Sequence, residues 1–404
     1  MAKNNTMICS FCGRSQPDVK KFIASPTGDA FICEDCILVC GSIIKTDNKP
    51  FFKNKKLLTP KQIKQHLDDY IIGQEEAKKV LSVAVYNHYK KVEYNLSGHS
   101  SIKLDKSNIL LVGPTGSGKT LLAKTLANIL EVPFAMCDAT TLTEAGYVGE
   151  DVESVLSKLL QNSDGDIKKA QTGIVYIDEI DKIAKKAQNK QLPKDPSGEG
   201  VQQALLKIIE GTVATVPVQS NGKSPYQESV SVDTNNILFI CGGAFVGLDD
   251  IVAERDKNHE LGFFKKQSEA LTQNVIMPQD LIKFGLIPEF VGRIPIVSKL
   301  EKLTNKNLVD ILTKPKNSII KQYKEMLKLD GVDFDASKSA IEAIANEAYK
   351  LGDGARGLRT IMESNLLDAM YSVPDGEIKK FTLDYSQQKM LLKYDKTQKI
   401  ANNV

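Results

Sequence analysis

The sequence has no long apolar run and no recognisable leader. No hydrophobic segment approaches the roughly 18 residues that a membrane-spanning helix requires, and the longest, such as Ile109–Val112 and Ile237–Ile240, have the length of a strand. The first residues, Met1–Asn5, lack the apolar core of a secretory signal and the Arg- and Ser-rich character of a transit peptide. We therefore expect a cytoplasmic protein of bacterial type without a membrane partner, although a processed organellar form would share this pattern.

A strong excess of one charge is also missing. Lys and Arg number 53 and Asp and Glu number 50, which gives a formal net charge of +3 and is too balanced for a nucleic-acid footprint over the whole chain. Histidine is scarce, and none of the four histidines belongs to a nucleophile motif: His66, His88, His99 and His259. The sequence therefore predicts neither a nucleic-acid partner nor a protease activity of its own.

The pattern of apolar residues predicts an α/β fold followed by a mainly helical part. A length of 404 residues suits two to four domains, and short apolar segments alternating with longer amphipathic ones favour parallel strands buried between helices. The predicted strands are Asn108–Val112, Pro133–Asp138, Ile174–Ile177, Ile237–Cys241 and, near the end, Lys380–Tyr385. The predicted helices include Thr120–Leu130, Gly200–Glu210, Leu308–Leu327, Ala336–Leu351 and Leu358–Tyr371. We expect domains at residues 1–44, 65–300 and 301–404, with a lysine-rich solvated linker at 45–64.

Five of the seven cysteines lie within the first 40 residues, which indicates metal binding more than disulfides in a long chain without a leader. Two CxxC pairs, Cys9 with Cys12 and Cys33 with Cys36, can supply four thiolates to one tetrahedral zinc ion. Four protein ligands leave no open position, so the site is expected to be structural. A redox dithiol or buried free thiols are the alternatives, and Cys40 is expected to pack rather than ligate.

The segment Gly113–Thr120 matches the phosphate-loop pattern GxxxxGK[ST] in full and lies between a predicted strand and a predicted helix. Its glycines let the backbone wrap around a phosphate while the N–H groups at the helix N-terminus face the anion. Lys119 is expected to reach the β- and γ-phosphates, and Thr120 to ligate Mg²⁺. A chance glycine-rich turn is the alternative, and the full match in this context disfavours it.

Two carboxylates, Asp178 and Glu179, directly follow an apolar predicted strand. Asp178 is expected to hold Mg²⁺ together with Thr120, and Glu179 to orient and deprotonate the attacking water. Acidic residues at the end of a strand are often plain surface charge, but their pairing with a phosphate loop favours catalysis. The sequence therefore predicts an ATP hydrolase with ATP and Mg²⁺ as cofactors.

The phosphate loop, the acidic pair and the helical C-terminal part together resemble the AAA+ ATPases, a family of P-loop proteins with a large α/β domain and a small helical one. With the Cys₄ head joined to it, the chain resembles the Clp unfoldases within that family over essentially its whole length. The segments that carry this closer resemblance are Gly146–Gly149, Ser197–Lys207, Leu286–Arg293 and Gly354–Arg359. The resemblance implies a homohexameric ATP-dependent unfoldase that threads protein substrates into the ClpP peptidase, with adaptors possible at the zinc head.

The same resemblance implies roles for individual residues around the nucleotide. Arg293 corresponds to an arginine finger that reaches the γ-phosphate of a neighbouring subunit, and Arg356 to a sensor arginine that contacts the nucleotide of its own subunit; for each, a surface ion pair is the alternative. The implied catalytic residues are Lys119, Asp178, Glu179 and Arg293. The implied ATP-binding residues are Ile71, Ile72, Gly113, Pro114, Thr115, Gly116, Ser117, Gly118, Lys119, Thr120, Leu121 and Arg356.

Three further segments correspond to loops that contact substrate or peptidase in the family. Tyr147 and Val148, between two glycines, match the loop that lines the axial pore, with a turn around a buried tyrosine as the alternative. Residues 188–197 match a second pore loop, which is shorter here. The tripeptide Leu261, Gly262 and Phe263 matches the segment that docks on the peptidase, where an exposed Leu and Phe suit a hot spot of binding energy.

The chain departs from the family pattern at two places. Residues 222–225 keep only Lys223 of a basic cluster, so attraction for acidic substrate tails is expected to be weaker. Cys241 and Gly242 stand where many AAA+ proteins place a polar sensor. A ring ATPase that remodels proteins without a peptidase, and a nucleic-acid motor with a zinc-finger reader, are the competing functions; the docking tripeptide disfavours the first and the lack of a basic recognition helix disfavours the second.

Overall fold

A computed structural model describes residues 7–15, 19, 21–26, 28–46, 57–96, 102, 104–143, 150–185, 198–217, 229–260, 275–375, 378–386 and 389–396. The chain divides into two compact units, Met1–Lys56 and Leu57–Val404. In the described part, no helix is both long and apolar enough to cross a membrane.

The described residues of the first unit form one hairpin and one helix. Strands β1 (Phe22–Ala24) and β2 (Phe31–Cys33) pair antiparallel, and helix α1 (Glu34–Thr46) follows β2 without a gap. Because Cys33 ends the strand and Cys36 lies in the first helical turn, the second CxxC pair spans the junction between strand and helix.

The second unit begins with an α/β part whose centre is a parallel sheet of five strands. Its elements are α2 (Pro60–Asp68), α3 (Glu75–Leu96), β3 (Ile109–Val112), α4 (Lys119–Leu130), β4 (Phe134–Asp138), β5 (Leu142–Thr143), β6 (Glu150–Asp151), α5 (Ser154–Gln161), α6 (Ile167–Ala170), β7 (Ile174–Asp178), α7 (Glu199–Glu210), β8 (Val213–Pro217), β9 (Ser229–Asp233), β10 (Leu238–Gly243), α8 (Leu248–Glu260), α9 (Pro278–Phe284), α10 (Pro288–Gly292) and β11 (Ile296–Lys299). The strand order is β11-β3-β10-β7-β4, and every neighbouring pair is parallel. The α/β class predicted from the sequence is thus confirmed.

The four predicted strands of this part are present within two residues of their expected ends, whereas β11 was not predicted. Its neighbour β3 is buried at every position, as expected for a strand covered on both faces. In contrast, β11 lies at the sheet edge, and its last residue, Lys299, is exposed. The sequence of β11, Ile-Val-Ser-Lys, lacks the continuous apolar run by which the others were recognised.

Two helices extend into the predicted linker 45–64. Helix α1 continues to Thr46, and α2 begins at Pro60 with a capping box in which the Thr59 hydroxyl accepts from the Gln62 N–H and the Gln62 side chain accepts from the Thr59 N–H. Ile63 is fully buried, so residues 60–64 belong to the packed unit. The capping box was the missed sequence signal.

The C-terminal part packs four helices around a small sheet. Its elements are α11 (Asn305–Thr313), α12 (Ile319–Leu329), β12 (Asp333–Ala336), α13 (Lys338–Leu351), α14 (Ala355–Ser372), β13 (Ile378–Ser386) and β14 (Lys389–Lys396). The predicted helix Leu308–Leu327 is two helices, because Pro315 lacks the N–H that would continue the hydrogen bonds of α11. The helix predicted from Ala336 begins at Lys338, since the Ser337 hydroxyl caps it by accepting from the Ala340 N–H.

Helix α3 contains a buried histidine, His88. The Nε2 atom of His88 lies 3.0 Å from the Asn236 carbonyl oxygen. Burial, reinforced by the positive charge of Lys106, lowers the pKa of His88 to about 3 from its ordinary value of 6.5. The imidazole is therefore neutral in the folded chain over the whole physiological range.

This burial predicts a loss of stability in mild acid. Below pH 6.5 only the unfolded chain takes up a proton at His88, so the free energy of unfolding falls as the pH drops toward 3. Relative to a His88→Gln variant, which keeps a donor but does not titrate, the wild type is expected to lose about 2 kcal/mol between pH 6.5 and about 4.5. Urea unfolding of both proteins at the two pH values measures the difference, and equal losses would contradict the prediction.

Candidate nucleotide site and zinc centre

The phosphate loop connects the buried strand β3 to helix α4. Gly116 and Gly118 have φ angles of +75° and +101°, a left-handed backbone that glycine adopts without strain. Gly118 is the N-cap of α4, and no side chain caps the helix there. The free N–H groups of this first turn and the loop backbone form an anion-binding surface.

The loop contacts the acidic pair directly. The Thr120 hydroxyl donates to Asp178 Oδ2 at 3.1 Å, and the Lys119 ammonium donates to the carbonyl oxygens of Gly113 and Pro114 at 2.6 and 3.1 Å. Burial lowers the pKa of Lys119, and the nearby carboxylate of Asp178 opposes this shift. Parallel strands β3 and β7 thus bring together the three polar side chains that the sequence predicted at this site.

Asp178 is held by two donors besides Thr120. Its Oδ1 accepts from the Tyr176 hydroxyl at 3.1 Å and from the Glu179 N–H at 3.0 Å. Burial and the charge of Asp178 raise the pKa of Tyr176, so this hydroxyl is protonated and acts as the donor. The oxygens of Thr120 and Asp178 form the hard donor set that suits Mg²⁺.

Glu179 has an unusual backbone conformation. Its φ of 55° places it in the left-handed region, where non-glycine residues are uncommon and cluster at functional sites. It precedes a short 3₁₀ helix, Ile180–Ile183.

The C-terminal part contacts the phosphate loop at the start of α14. The Ala355 N–H donates to the Gly116 carbonyl at 3.2 Å, and a Cβ added to Gly116 would lie 2.3 Å from the Asp353 oxygen. Arg356 follows in the first turn of α14, is exposed, and its charge contributes to lowering the pKa of Lys119. The predicted sensor arginine therefore lies near the loop.

An open cleft lies between the loop and the C-terminal part. Its lining residues are Pro114, Thr115, Gly116, Ser117, Lys302, Leu303, Leu308, Ala348, Tyr349, Gly352 and Gly354. Ile71, which is buried, and Ile72 are not among them; their contact with adenine stays a prediction. Tyr349 and Lys302 were missed, because no local pattern marks residues brought in by a separate part of the fold.

A glutamine that the sequence did not single out connects these parts. Gln74 is buried with a φ of 59°. Its amide nitrogen donates to the Glu301 carbonyl at 2.8 Å and to the Ser117 carbonyl at 3.4 Å, while its oxygen accepts from the Glu301 N–H at 2.8 Å. One side chain thereby joins the phosphate loop to the beginning of the C-terminal part.

Arg293 lies at the opposite end of the sheet from the phosphate loop. Its carbonyl accepts from the Asn108 side chain at 2.8 Å, and Asn108 precedes β3 whereas the loop follows it. The guanidinium is about half exposed and pairs with Glu210 at 2.7 Å. Arg293 is thus presented to solvent and is not placed to reach the phosphate loop of its own chain.

The four predicted zinc ligands converge in the first unit. The Sγ–Sγ distances are 3.8 Å for Cys9 and Cys36 and 3.7 Å for Cys12 and Cys33, and all four sulfur atoms lie within 4.8 Å of one another. A tetrahedron with Zn–S bonds of 2.3 Å has edges of about 3.8 Å. The site therefore fits zinc, and Cys40 is not part of the cluster.

Several predicted segments fall outside the described residues. They are the pore loop with Gly146, Tyr147, Val148 and Gly149, residues 188–197, the Gly222–Pro225 segment and the docking tripeptide Leu261, Gly262 and Phe263. Their roles stay predictions.

Comparison with known proteins agrees with this architecture. Residues 7–46 match the family described as ClpX C4-type zinc finger, 104–297 match AAA domain (Cdc48 subfamily), and 303–382 match the C-terminal, D2-small domain, of ClpB protein. The ATP-dependent Clp protease ATP-binding subunit ClpX of Treponema denticola is 54% identical over 385 residues, covering 93% of this chain and 92% of the relative. The protein of the same name from Borrelia duttonii is 53% identical over 380 residues, covering 92% and 88%. The chain belongs to the ClpX family.

Membership of the ClpX family fixes the broad chemistry of both sites. The AAA domain makes the chain an ATP hydrolase that uses ATP and Mg²⁺, and the matched zinc finger contains the four converging cysteines. The predicted family, fold class, enzyme class and cofactors are thereby confirmed.

The zinc centre is tested by removing ligands in pairs. A Cys12→Ser/Cys33→Ser variant is expected to purify without zinc and to lose the fold of residues 7–46, because so small a unit depends on its metal for stability. Cys40→Ser removes a neighbouring thiol outside the cluster and is expected to retain one zinc per chain. The zinc content of the wild type, the double variant and Cys40→Ser is measured by metal analysis. Zinc retained in the double variant would refute the assignment.

Proposed function

We propose that this chain is an ATP-driven protein unfoldase that works as a homohexamer and delivers substrates to the ClpP peptidase. The observation that carries the proposal is the contact of the phosphate loop with both Asp178 and the start of α14. A loop that touches a catalytic carboxylate on one side and a separate packed part on the other can convert a change at the nucleotide into movement.

The separate hydrophobic cores support the division into parts. One cluster contains buried residues between Leu110 and Ile294, and another contains buried residues between Leu303 and Leu383. With the Cys₄ unit, this supports a zinc-binding domain, a large AAA+ domain and a small domain that begins near residue 301. Each core can stay intact while the large and small domains change their relative position.

The chemistry at the site follows from the side chains present. The loop backbone and Lys119 bind the phosphates, and Thr120 and Asp178 hold Mg²⁺, which neutralises charge on the phosphates when it is bound. Glu179 orients a water molecule and takes its proton. Leu121, exposed on α4 beside Thr120, Ile71 and Ile72 are proposed to contact the rest of the nucleotide.

The position of Arg293 supports a site shared between subunits. The guanidinium is exposed, is remote from the phosphate loop of its own chain, and holds Glu210 in a surface pair of little net energy. A permanently charged planar group of this kind can leave such a partner and stabilise charge on a γ-phosphate across an interface. Arg356 would contribute from within the same chain.

The fold offers a direct route from Asp178 to the predicted pore loop. The Ala139 N–H donates to the Asp178 carbonyl at 2.9 Å, and the chain continues from there into β5, which pairs with β6. The segment between β5 and β6 contains Tyr147 and Val148. We therefore propose that a shift at Asp178 is transmitted to the two side chains that grip substrate.

The docking tripeptide follows α8 directly, since that helix ends at Glu260. A rigid helix before the tripeptide suits a segment that carries Leu261 and Phe263 to clefts on the peptidase. The protein substrates, the adaptors at the zinc head and a cytoplasmic location remain parts of this proposal. The similar proteins named above come from bacteria, in keeping with the proposed location.

The role of Glu179 is tested by an isosteric change. Glu179→Gln keeps the shape of the side chain but removes the base, so ATP is expected to bind within a fewfold of wild type while the turnover rate falls at least 100-fold. Glu254→Gln makes the same change on the exposed face of α8 and is expected to hydrolyse ATP normally. Steady-state phosphate release and ATP titration measure the two effects; near-normal turnover in the first variant would exclude Glu179 from the mechanism.

Peptidase docking is tested by deleting residues 261–263. Degradation of an unfolded substrate with ClpP and ATP is expected to stop, because the hot-spot side chains are lost. ATP hydrolysis and the unfolding of a fluorescent substrate without peptidase serve as controls and should persist. Degradation at the wild-type rate would contradict docking through this tripeptide and favour another contact.

A further inference from the structure

The strand that ends in Asp178 carries one aromatic residue, Tyr176. Its side chain is fully buried, although it bears a hydroxyl group, and alternation along the strand places it on the same face of the sheet as Asp178. The neighbouring Val175 and Ile177 belong to the apolar core on the other face. A tyrosine at this position requires a partner for its hydroxyl, and that partner is Asp178 Oδ1.

The tyrosine reaches Asp178 by occupying space over β10. In the parallel register Tyr176 lies opposite Ile240, and its ring extends along the strand toward Gly242. A Cβ added to Gly242 would lie 2.1 Å from the Tyr176 hydroxyl oxygen and 2.8 Å from Cζ. The absence of a side chain at 242 is therefore what admits the hydroxyl to the carboxylate.

The end of β10 lacks the polar residue that many AAA+ proteins have there. Cys241 is buried within the apolar core, and Gly242 has no side chain, so neither can present a polar group beside the phosphate loop. The Tyr176 hydroxyl, contributed by the adjacent strand, lies in the space that a residue at 242 would fill. It is one of two polar side-chain groups that the described residues place at the end of β10; the other is the Asp181 carboxylate, which accepts from the Ala244 N–H at 3.0 Å.

We propose that Tyr176 is a positioning residue that fixes the orientation of the Asp178 carboxylate for Mg²⁺. The inference rests on the proposed role of Asp178 as a magnesium-holding group. The Tyr176 hydroxyl and the Glu179 N–H both donate to Oδ1 of Asp178. The other carboxylate oxygen, Oδ2, therefore faces Thr120. Such outer partners of metal-holding carboxylates contribute about 10- to 100-fold to metal affinity or activity.

A purely structural role would be that of any buried tyrosine that has found a partner for its hydroxyl. The chain contains such a residue for comparison. Tyr89 is also fully buried, and its hydroxyl donates to the Thr172 carbonyl at 3.1 Å, remote from the phosphate loop in sequence and on a different element. Tyr89→Phe therefore removes a buried hydroxyl with the same donor–acceptor distance, without removing a hydrogen bond to Asp178.

The experiment measures how strongly Mg²⁺ enhances ATP binding. Full-length Glu179→Gln protein, in which turnover is expected to be at least 100-fold slower, is titrated with ATP by calorimetry in excess Mg²⁺ and in excess EDTA. Adding Tyr176→Phe is expected to reduce the enhancement about tenfold, while the affinity in EDTA changes less than twofold. Adding Tyr89→Phe is expected to leave both affinities unchanged, and Asp178→Asn to abolish the enhancement.

Each result has a defined meaning. If Asp178→Asn keeps the full enhancement, the proposed magnesium role of Asp178 fails, and the inference fails with it. If Asp178→Asn abolishes the enhancement but Tyr176→Phe leaves it intact, the inference alone is overturned. A Tyr176→Phe variant that weakens ATP binding equally in Mg²⁺ and EDTA, or that behaves like Tyr89→Phe, also overturns it, since it would show a structural role only.

Discussion

The parallel alignment of β3, β10 and β7 is the constraint on which the site depends. Parallel strands end at a common edge, so a loop after one strand and a carboxylate at the end of another meet without any specific contact having to bring them there. The Thr120–Asp178 hydrogen bond is the result. The burial of these strands on both faces also fixes their register, because a slip of one residue would turn Asp178 into the core.

The zinc unit obeys a different constraint. Its short hairpin and single helix cannot bury enough apolar surface for independent stability, and several large apolar side chains remain exposed, including Phe11 and Leu38. Convergence of four thiolates therefore takes the place of a core. The two units of the chain thus rely on unlike sources of stability, metal coordination in one and the packing of helices on a sheet in the other.

The sequence predicted those features that depend on local pattern. Continuous apolar runs identified the inner strands, and the spacing of Cys9, Cys12, Cys33 and Cys36 identified the zinc ligands, because in both cases the physical requirement falls on residues close together in the chain. Pro315 was a local signal too, but the helical period on both sides of it was mistaken for one helix.

What the sequence did not predict depends on residues that meet only through the fold. The partnership of Tyr176 with Gly242 requires two strands, Gln74 acts on a carbonyl 227 residues away in the chain, and Tyr349 enters the cleft from a separate core. No spacing rule relates such positions. Strand β11 was missed for a local reason. It is partly exposed and lacks the continuous apolar run that marks the buried strands.

The close approach of Gly116 to the start of α14 links movement of α14 to the affinity for ATP. There is no space for a side chain between the Gly116 backbone and Asp353, and the Ala355 N–H donates to the Gly116 carbonyl, so movement of the loop displaces the start of α14. Coupling free energies between two sites are reciprocal. If the chain acts as the unfoldase proposed above, tension that a resisting substrate applies to α14 would alter the affinity for ATP by the same free energy with which bound ATP displaces α14.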